Sequence, residues 1–367
     1  MTARDRVVAY LFRAGPAARD EVMRGTELSR ATVSKLVGEM QAQGVVVELP
    51  AAARSGRAGR PTSLLTIEPG LGAVGAIDFG HSSVRVAIAD LAGTIVVESG
   101  HEFDVDNDPM GAIGLASARL LALSSRERLL GVGAAISAPV RRDSGIVVVD
   151  GILPGWSSIS LRTELESRMR TTVHVGNDAN LGALAEVRMG AGRGAVNVVY
   201  LMLSSGIGAG LVLDGELFTG HSGMTGELGH VVVAPGGALC RCGQRGCLET
   251  VAGAQRLRAR LGGGLRTQGP AAHSAFAEAG RAIGRVAGAV CNLVNPELVI
   301  VGGELIVAGE TLVAAVRAGL REAAIEPVWQ DVRVTAAQLG DRAELLGAVG
   351  LALAEVDATE LALAAAA

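Results

Sequence analysis

The most specific chemical signal in the sequence is a cluster of one histidine and three cysteines. They follow the spacing H-x9-C-x-C-x4-C, at His230, Cys240, Cys242 and Cys247. Four nitrogen and sulfur ligands suit tetrahedral zinc, and a full protein set leaves no open position for hydrolytic chemistry. The cluster therefore predicts a structural Zn²⁺ site in a reducing compartment rather than a disulfide framework. Cys291 lies in an apolar helical pattern and is expected in the core.

A second candidate for chemistry is the polar segment around Asp178. It follows a short strand pattern over Val173–Val175 and leads into a predicted helix over Leu181–Arg188. An Asp at a strand end can orient or deprotonate a sugar hydroxyl, while neighbouring Asn side chains hold other hydroxyls. Asp178 or Asn180 could equally serve only as the cap of the helix. This segment alone leaves both interpretations open.

Turns of small residues follow three other predicted strands. Gly80–Ser83 follows Val74–Phe79, residues 204–210 follow Val198–Leu203, and Gly302-Gly303 follows Leu298–Val301. Such turns allow backbone N–H groups to approach a phosphate or another backbone closely. Because they recur in two halves of the chain, the sequence predicts a duplicated α/β architecture with a ligand cleft between two lobes. Further strands are predicted over Val84–Asp90, Thr94–Val97 and Leu211–Leu213, and further helices over Ala277–Val294 and Ala308–Leu320.

The amino-terminal segment has the pattern of a helix-turn-helix. Short helices are predicted over Val7–Arg13 and Arg19–Arg24, with Gly25 giving the turn and Ser29 capping the next helix. The core face of that helix carries, at helical spacing, Val33, Leu36, Val37 and Met40. Its opposite face can meet base edges and phosphates in a major groove. That face carries Arg30, Thr32, Ser34 and Lys35.

A wing is predicted directly after this helix. Gly44 ends the helix, and two strand patterns, Val45–Leu49 and Ser63–Ile67, flank a loop over Ala51–Pro61. Glycines in the loop space three arginines that could enter a narrow minor groove. These are Arg54, Arg57 and Arg60. The alternative is that the amino-terminal helices form a protein-interaction module, which the position of the arginines argues against.

Composition and charge agree with this division. The chain has 367 residues, 49% hydrophobic and 19% charged, which predicts a folded protein of two or three domains. Residues 1–70 carry ten basic and seven acidic residues, whereas the remainder is acidic in balance. This asymmetry is typical of a nucleic-acid-binding module on an acidic body. No signal-peptide pattern opens the sequence and its apolar runs have strand length, so we expect a cytoplasmic protein without membrane contact.

The residues around the cysteine cluster resemble those of a known family. Glu227-Leu228-Gly229-His230 followed by 240–249, CRCGQRGCLE, is similar to the signature of the ROK family of repressors, open reading frames and sugar kinases. The whole chain resembles its xylose- and N-acetylglucosamine-type repressors with a fused winged helix. The resemblance implies an α/β fold: a winged helix-turn-helix over 1–70, then a two-lobed actin-like, sugar-kinase-like domain with a zinc knuckle. Its first lobe would span 71–185, completed by a helix at about 340–356, and its second 186–339, with the zinc loop at 230–247.

The resemblance also implies a sugar site. The family's sugar-binding residues fall on Asn177, Asp178, Glu227, His230 and Glu249. In kinase members the position of Asp178 is the general base that activates the sugar hydroxyl. The position of His230 is shared between zinc and sugar, which would couple the two sites.

On the nucleotide side the sequence departs from the family's kinases. The corresponding positions are Asp78, Gly80, Ser205, Gly206, Gly302 and Gly303. The kinase turn DxGGT is replaced by Asp78-Phe79-Gly80-His81-Ser82, and GTGIG by SSGIG over 204–208. His81 would crowd a triphosphate, so phosphotransfer is expected to be lost or weak, with ATP and Mg²⁺ not among the cofactors.

These observations predict a sugar-responsive transcription regulator. Because the whole chain resembles the repressors of the family, we expect a repressor. Its partners would be operator DNA, a sugar or sugar-derivative effector, and a second copy of the chain, because two-fold operators are read by dimers. The alternative is an active ATP-dependent sugar kinase of the hexokinase type with a DNA-binding arm, which Asp78, Asp178 and Gly302-Gly303 keep open. The sequence does not name the sugar.

Overall fold

The computed structural model describes residues 2–49, 63–124, 129–148, 151–157, 159–262 and 264–356, together with Leu361 and Ala365. The wing loop, with Arg54, Arg57 and Arg60, lies outside the described residues. Within the described part, three sheets organise the chain: a two-stranded ribbon near the amino terminus and two five-stranded sheets.

The amino-terminal part contains three helices and the ribbon. Its elements are Ala3–Ala14 (α1), Arg19–Thr26 (α2), Arg30–Ala42 (α3), Val46–Leu49 (β1) and Leu64–Ile67 (β2). The two strands pair antiparallel, with Val46 opposite Ile67, as the wing prediction requires. Ser29 caps α3, because its hydroxyl accepts the Thr32 N–H at 3.1 Å. Val33, Val37 and Met40 are buried beneath the helix.

The turn between α2 and α3 differs from the prediction. Gly25 lies inside α2 and does not give the turn; Glu27 does, in the left-handed conformation with φ of 54°. A Cβ on Gly25 would lie 1.9 Å from the ring of Tyr10. The glycine is therefore needed for close packing of α2 on α1 rather than for backbone freedom.

The first large sheet has the order β5-β4-β3-β6-β7. Its strands are Ala73–Phe79 (β3), Ser83–Asp90 (β4), Ile95–Glu102 (β5), Leu129–Ile136 (β6) and Val173–Asn177 (β7). β3, β4 and β5 form an antiparallel meander, and β6 and β7 add in parallel. The accompanying helices are Pro109–Leu123 (α4), Leu161–Met169 (α5) and Asp178–Met189 (α6). The predicted boundary after residue 185 falls inside α6, and the domain boundaries stay predictions.

The second large sheet repeats this arrangement with the order β10-β9-β8-β11-β12. Its strands are Val198–Leu203 (β8), Ile207–Leu213 (β9), Glu216–Phe218 (β10), Leu298–Gly302 (β11) and Arg333–Ala336 (β12). Again three antiparallel strands are followed by two parallel ones. The helices are Leu248–Ala252 (α7), Ala254–Arg260 (α8), Pro270–Val294 (α9), Glu310–Ala323 (α10) and Glu326–Asp331 (α11). The predicted duplication of an α/β lobe is confirmed.

The last helix, Ala343–Ala354 (α12), returns to the first lobe. It packs on α6, on β3 and β6, and also on α1. Its backbone approaches closely: a Cβ on Gly133 would lie 2.0 Å from the Ala348 carbonyl oxygen, and one on Gly347 would lie 2.1 Å from that of Leu181. The helix predicted over Ala308–Leu320 is confirmed as α10, which begins two residues later, at Glu310, after a 3-10 turn over Glu304–Ala308. Gly309 separates the two with a positive φ of 57°.

Candidate functional site

The polar segment at the end of β7 is held by Asn177 rather than by Asp178. The Asn177 side chain caps α6, since its Oδ1 accepts the Asn180 N–H at 3.2 Å. Its Nδ2 donates to the Ala138 carbonyl at 3.2 Å and to Asp178 Oδ1 at 2.9 Å. The Ala179 N–H also donates to Asp178 Oδ1, at 2.7 Å. Asp178 is thus fixed at the first position of α6 without being its cap.

Two glutamates from the second lobe face this segment. Glu227 precedes a 3-10 turn, Leu228–His230, and its Oε2 lies 3.8 Å from His230 Nε2. Glu249 lies in the first turn of α7, and its Oε1 lies 3.9 Å from His230 Nδ1. The histidine therefore lies between two carboxylates.

All five residues predicted to bind sugar line one cavity of about 70 Å³. Burial raises the pKa of Asp178 to about 6, and the Asp78 carboxylate adds to that rise. Burial likewise raises the pKa of Glu227 to about 7, with added repulsion from Asp178 and Glu249. Carboxyl groups whose pKa lies near neutrality can exchange protons with a bound hydroxyl. The cavity is therefore suited to a neutral, hydroxyl-rich ligand.

Beside this cavity, the predicted metal ligands converge. The ligand atoms of His230, Cys240, Cys242 and Cys247 all lie within 4.8 Å of one another. Cys240 Sγ lies 3.5 Å from His230 Nδ1, and Cys242 Sγ lies 3.7 Å from Cys247 Sγ. Ligands at about 2.3 Å from a tetrahedral centre are separated by roughly 3.8 Å. The four residues therefore fit a tetrahedral metal ion.

A second, larger cavity of about 670 Å³ adjoins the first and corresponds to the predicted nucleotide side. Asp78, Gly80, Ser205 and Gly303 line it, whereas Gly206 lines the smaller cavity. Gly302 faces the core instead, because a Cβ there would lie 2.5 Å from the Tyr200 hydroxyl. The Ser204 hydroxyl accepts the Glu304 N–H at 3.2 Å, so this side chain holds the neighbouring turn.

An arginine that the sequence reasoning missed neutralises the floor of the larger cavity. Arg85 donates from Nε and Nη2 to Asp78 Oδ2, at 3.0 and 2.7 Å. Its guanidinium also lies 3.7 Å from Glu344 Oε2. Asp78 and Arg85 are directly opposite each other in the β3–β4 pair. A hairpin register drawn from the sequence would have revealed this contact.

His81, the residue expected to crowd a triphosphate, lines both cavities. Its Nδ1 lies 2.8 Å from Asp106 Oδ1. The carboxylate fixes the imidazole at the junction of the two cavities.

A second missed arginine belongs to the metal loop. Arg241 donates from Nε to Glu249 Oε1 and from Nη2 to Glu249 Oε2, each at 3.1 Å. It lines the smaller cavity together with the predicted sugar-binding residues. The sequence motif contains this position only as a spacer between two cysteines, so nothing in the spacing signalled it.

The comparisons with known proteins agree with this geometry. The profile of the ROK family matches residues 74–355. The chain belongs to the ROK family. It is 32% identical over 302 residues to a glucokinase from Thermotoga maritima, covering 75% of this chain and 95% of that one. It is 24% identical over 370 residues to a xylose repressor from Caldicellulosiruptor bescii, covering 92% of each. A crystal structure of a ROK family transcriptional regulator, a homolog of the E. coli MLC protein, superposes with a TM-score of 0.79 at 23% identity, covering 99% of this chain and 98% of that one.

The extent of these matches separates the two predicted functions. The glucokinase shares about three quarters of this chain, whereas the repressor and the regulator structure share nearly all of it. The matches therefore favour a ROK transcription regulator over a ROK kinase with an added arm. Among the described residues, no helix is long and apolar enough to cross a membrane.

The amino-terminal part of this ROK protein places its predicted DNA contacts on α3. Arg30, Ser34 and Lys35 are exposed, and Lys35 Nζ lies 3.9 Å from Glu39 Oε1. Thr32 is half-buried, and its hydroxyl lies 2.8 Å from that of Ser29. The exposed face of α3 thus carries basic and hydroxyl groups, while Thr32 also supports the helix cap.

Proposed function

We propose that this chain is a DNA-binding transcription regulator, a repressor, that responds to a sugar or sugar derivative through its ROK cleft. The observation that carries the proposal is the presence, in one chain, of a helix-turn-helix with its two wing strands and a ROK cleft lined by convergent carboxylates. The full-length similarity to a protein named xylose repressor supports it.

In the cleft, the effector's hydroxyls would contact five residues: Asn177, Asp178, Glu227, His230 and Glu249. Asp178 and Glu227 would accept hydrogen bonds from hydroxyls, because a carboxylate oxygen is an acceptor. The positions of these fixed groups would select a sugar by the arrangement of its hydroxyls.

Zn²⁺ is the metal whose preferred ligands match the cluster, and His230, Cys240, Cys242 and Cys247 would hold it. When bound it would supply a structural cross-link. The side chains of the cleft would recognise the effector. His230 lies next to both Glu227 and Glu249, so the metal-binding loop would border the effector site.

Phosphotransfer is not part of the proposal, because the cleft floor is already neutralised. Asp78 is buried and tied to Arg85, and His81 lines the junction through which a phosphoryl group would pass. A carboxylate engaged by a guanidinium is a poor ligand for a divalent cation, since the two positive charges compete for the same oxygens.

DNA contacts would come from α3 and the wing. Arg30, Thr32 and Ser34 would meet base edges or the backbone, Lys35 a phosphate, and the wing arginines Arg54, Arg57 and Arg60 the minor groove. A dimer in the cytoplasm would read a two-fold operator.

A gel-shift assay with genomic fragments tests the regulator proposal. Binding should be salt-dependent and should change when sugars from a panel are added. The double change Arg57→Ala and Arg60→Ala should weaken operator binding without changing zinc content. Absence of any salt-sensitive DNA complex would reject the regulator.

A ROK sugar kinase is the second candidate, favoured by one observation. The raised pKa of Asp178, about 6, is suited to a general base near neutral pH. A coupled ADP-release assay over the same sugar panel decides between the candidates. Sugar-dependent ADP release at ordinary enzyme rates would establish the kinase, and sugar binding without turnover the sensor.

A further inference from the structure

Arg241 occupies part of the effector cavity itself. It lies between two of the candidate metal ligands, Cys240 and Cys242, and its guanidinium forms a two-bond fork with Glu249. The side chain of Glu249 is only 8% exposed, and that of Arg241 29%. The fork therefore lies inside the cleft rather than on its outer surface, and it engages both oxygens of a carboxylate that the proposed function assigns to the sugar.

Two glycines next to Arg241 leave the space that its side chain and backbone occupy. A Cβ on Gly206 would lie 2.3 Å from Arg241 Nη2, so the guanidinium fills the space that a side chain at 206 would take. A Cβ on Gly151, in the first lobe, would lie 1.9 Å from the Arg241 carbonyl oxygen. The arginine is thus packed against both lobes of the ROK domain.

With the fork in place, the cavity is too small for its ligand. It measures about 70 Å³, whereas the adjoining cavity on the nucleotide side measures about 670 Å³. Pockets that bind small molecules typically start at roughly 300 Å³. A cavity of this volume has room for a few water molecules at most, so binding of a sugar requires one of the lining groups to move.

Arg241 is a lining group that can move without a change in the backbone. Asn177 and Asp178 are fixed at the start of α6 by backbone hydrogen bonds. Glu249 belongs to α7, and His230 to the metal cluster. An arginine side chain has several rotatable bonds, and because that of Arg241 is 29% exposed, its guanidinium can turn from Glu249 toward solvent.

We propose that Arg241 is a gate: it holds Glu249 in the effector-free protein and is displaced when hydroxyls of a neutral sugar take its place. This inference rests on the proposed sugar-sensing function. Arg241 is a specificity-determining residue under this proposal, because only a sugar that binds strongly enough to displace its guanidinium from Glu249 can enter the site. A neutral sugar fits better than an anionic one, since Asp178, Glu227 and Glu249 would repel a negative charge once the guanidinium has left.

Isothermal titration of the full-length, zinc-loaded protein tests the gate, with D-glucose, D-xylose and N-acetyl-D-glucosamine as probes. Arg241→Ala removes the competitor and should lower the Kd of the bound sugar by about tenfold, the equivalent of one charged hydrogen bond. Arg241→Lys keeps the charge but loses the planar fork, so it should lower the Kd by about threefold. In a gel shift, the sugar concentration that alters operator binding should fall by the same factors.

Arg245→Ala is the matched control. Arg245 lies in the same loop, but its guanidinium donates to the Gly237 carbonyl at 3.3 Å and does not line the cavity. Its Kd should equal that of the unaltered protein. Metal analysis of each variant shows whether the loop is intact, and if Arg241→Ala loses zinc the comparison rests on Arg241→Lys.

The outcomes separate the gate from the function beneath it. If neither the unaltered protein nor either Arg241 variant binds any of the three sugars, the proposed sensing function fails. If the unaltered protein binds a sugar and a zinc-loaded Arg241 variant binds it equally or more weakly, the gate is wrong and the sensing function stands. Tighter binding by both variants, in the stated order, supports the gate.

Discussion

The two halves of the ROK cleft each contain an arginine paired with a carboxylate, and the pairs differ in how they are held. On the nucleotide side, Arg85 pairs with Asp78; on the sugar side, Arg241 pairs with Glu249. The arginines are similarly exposed, 27% and 29%, and the carboxylates are both nearly buried, 6% and 8%. Exposure therefore does not distinguish the pairs.

The supporting backbone distinguishes them. Arg85 comes from β4, opposite its partner in the same sheet, and the carboxyl groups of Glu344 and Asp341 lie within 4.0 Å of its guanidinium. Arg241 comes from a loop and has Glu249 as its carboxylate. A guanidinium on a strand, with three carboxyl groups around it, is a fixed counter-charge, whereas one on a loop, held by a single carboxylate, can be exchanged for a ligand. The same chemical pair thus supplies a fixed counter-charge in one half of the cleft and the proposed gate in the other.

The largest effect should come from disrupting the predicted metal site that borders the Arg241 loop. Cys247→Ser should abolish zinc binding and weaken sugar binding by at least about 100-fold, because the sugar-contacting residues His230 and Glu249 lose their common support. Metal analysis and calorimetry measure both. Cys291→Ala, a buried cysteine on α9, is the control and should keep zinc. Unchanged zinc content in Cys247→Ser would contradict the cluster.

Removing the fixed pair should destabilise the fold. Arg85→Ala leaves buried Asp78 without its counter-charge and should cost about 3 kcal/mol in the free energy of unfolding. Urea denaturation measures the loss. The double variant Asp78→Asn and Arg85→Met should lose less than the sum of the single changes, since neither charge is then left alone. A stability equal to that of the unaltered protein would show that the pair is not a fixed counter-charge.

Substitution of Asp178 should stabilise the fold, whereas substitution of Arg85 destabilises it, and the gain in the free energy of unfolding should depend on pH. The pKa of Asp178 is raised from 3.8 to about 6, chiefly by burial, so from about pH 4 to about pH 6 the folded protein keeps a proton that the unfolded chain has lost. Stability therefore falls as pH rises through that interval, and the cost persists above it. Asp178→Asn should raise the free energy of unfolding by about 2 kcal/mol at about pH 8, and by less at about pH 5. It should also abolish sugar binding.

Urea denaturation of both proteins at the two pH values checks this prediction. An advantage for Asp178→Asn that is larger at the lower pH would mean that the pKa is not raised.

The smallest effect should come from a third pair in the same cleft. Arg258 donates to Glu304 at 3.1 Å, but the two side chains are 40% and 31% exposed. Arg258→Ala should change the free energy of unfolding by about 0.5 kcal/mol, because solvent screens the pair. A loss as large as that of Arg85→Ala, in the same urea experiment, would mean that backbone support and neighbouring carboxyl groups do not explain why the pairs contribute differently to stability.

Much of the fold could be predicted because its signals are local. The β-branched and apolar strand patterns predicted β8 over Val198–Leu203 with the correct bounds, and Ser29 predicted the start of α3. Local patterns failed where packing decided the structure. Gly25 looks like a turn in the sequence, yet it lies within a helix, where the Tyr10 ring leaves no space for a side chain.

The sequence by itself determined the candidate metal-ligand set, the repeated strand–turn pattern and the amino-terminal helix-turn-helix, because each depends on spacing within a short stretch of chain. The tertiary structure decided which charges meet. Asp178 could be a cap or a ligand until Asn177 proved to be the cap. The pairs of Arg85 with Asp78 and Arg241 with Glu249 depend on strand register and on the path of a loop, and burial between two lobes then sets their charge balance. Only the folded chain brings those groups to hydrogen-bonding distance in a medium where their charges act strongly.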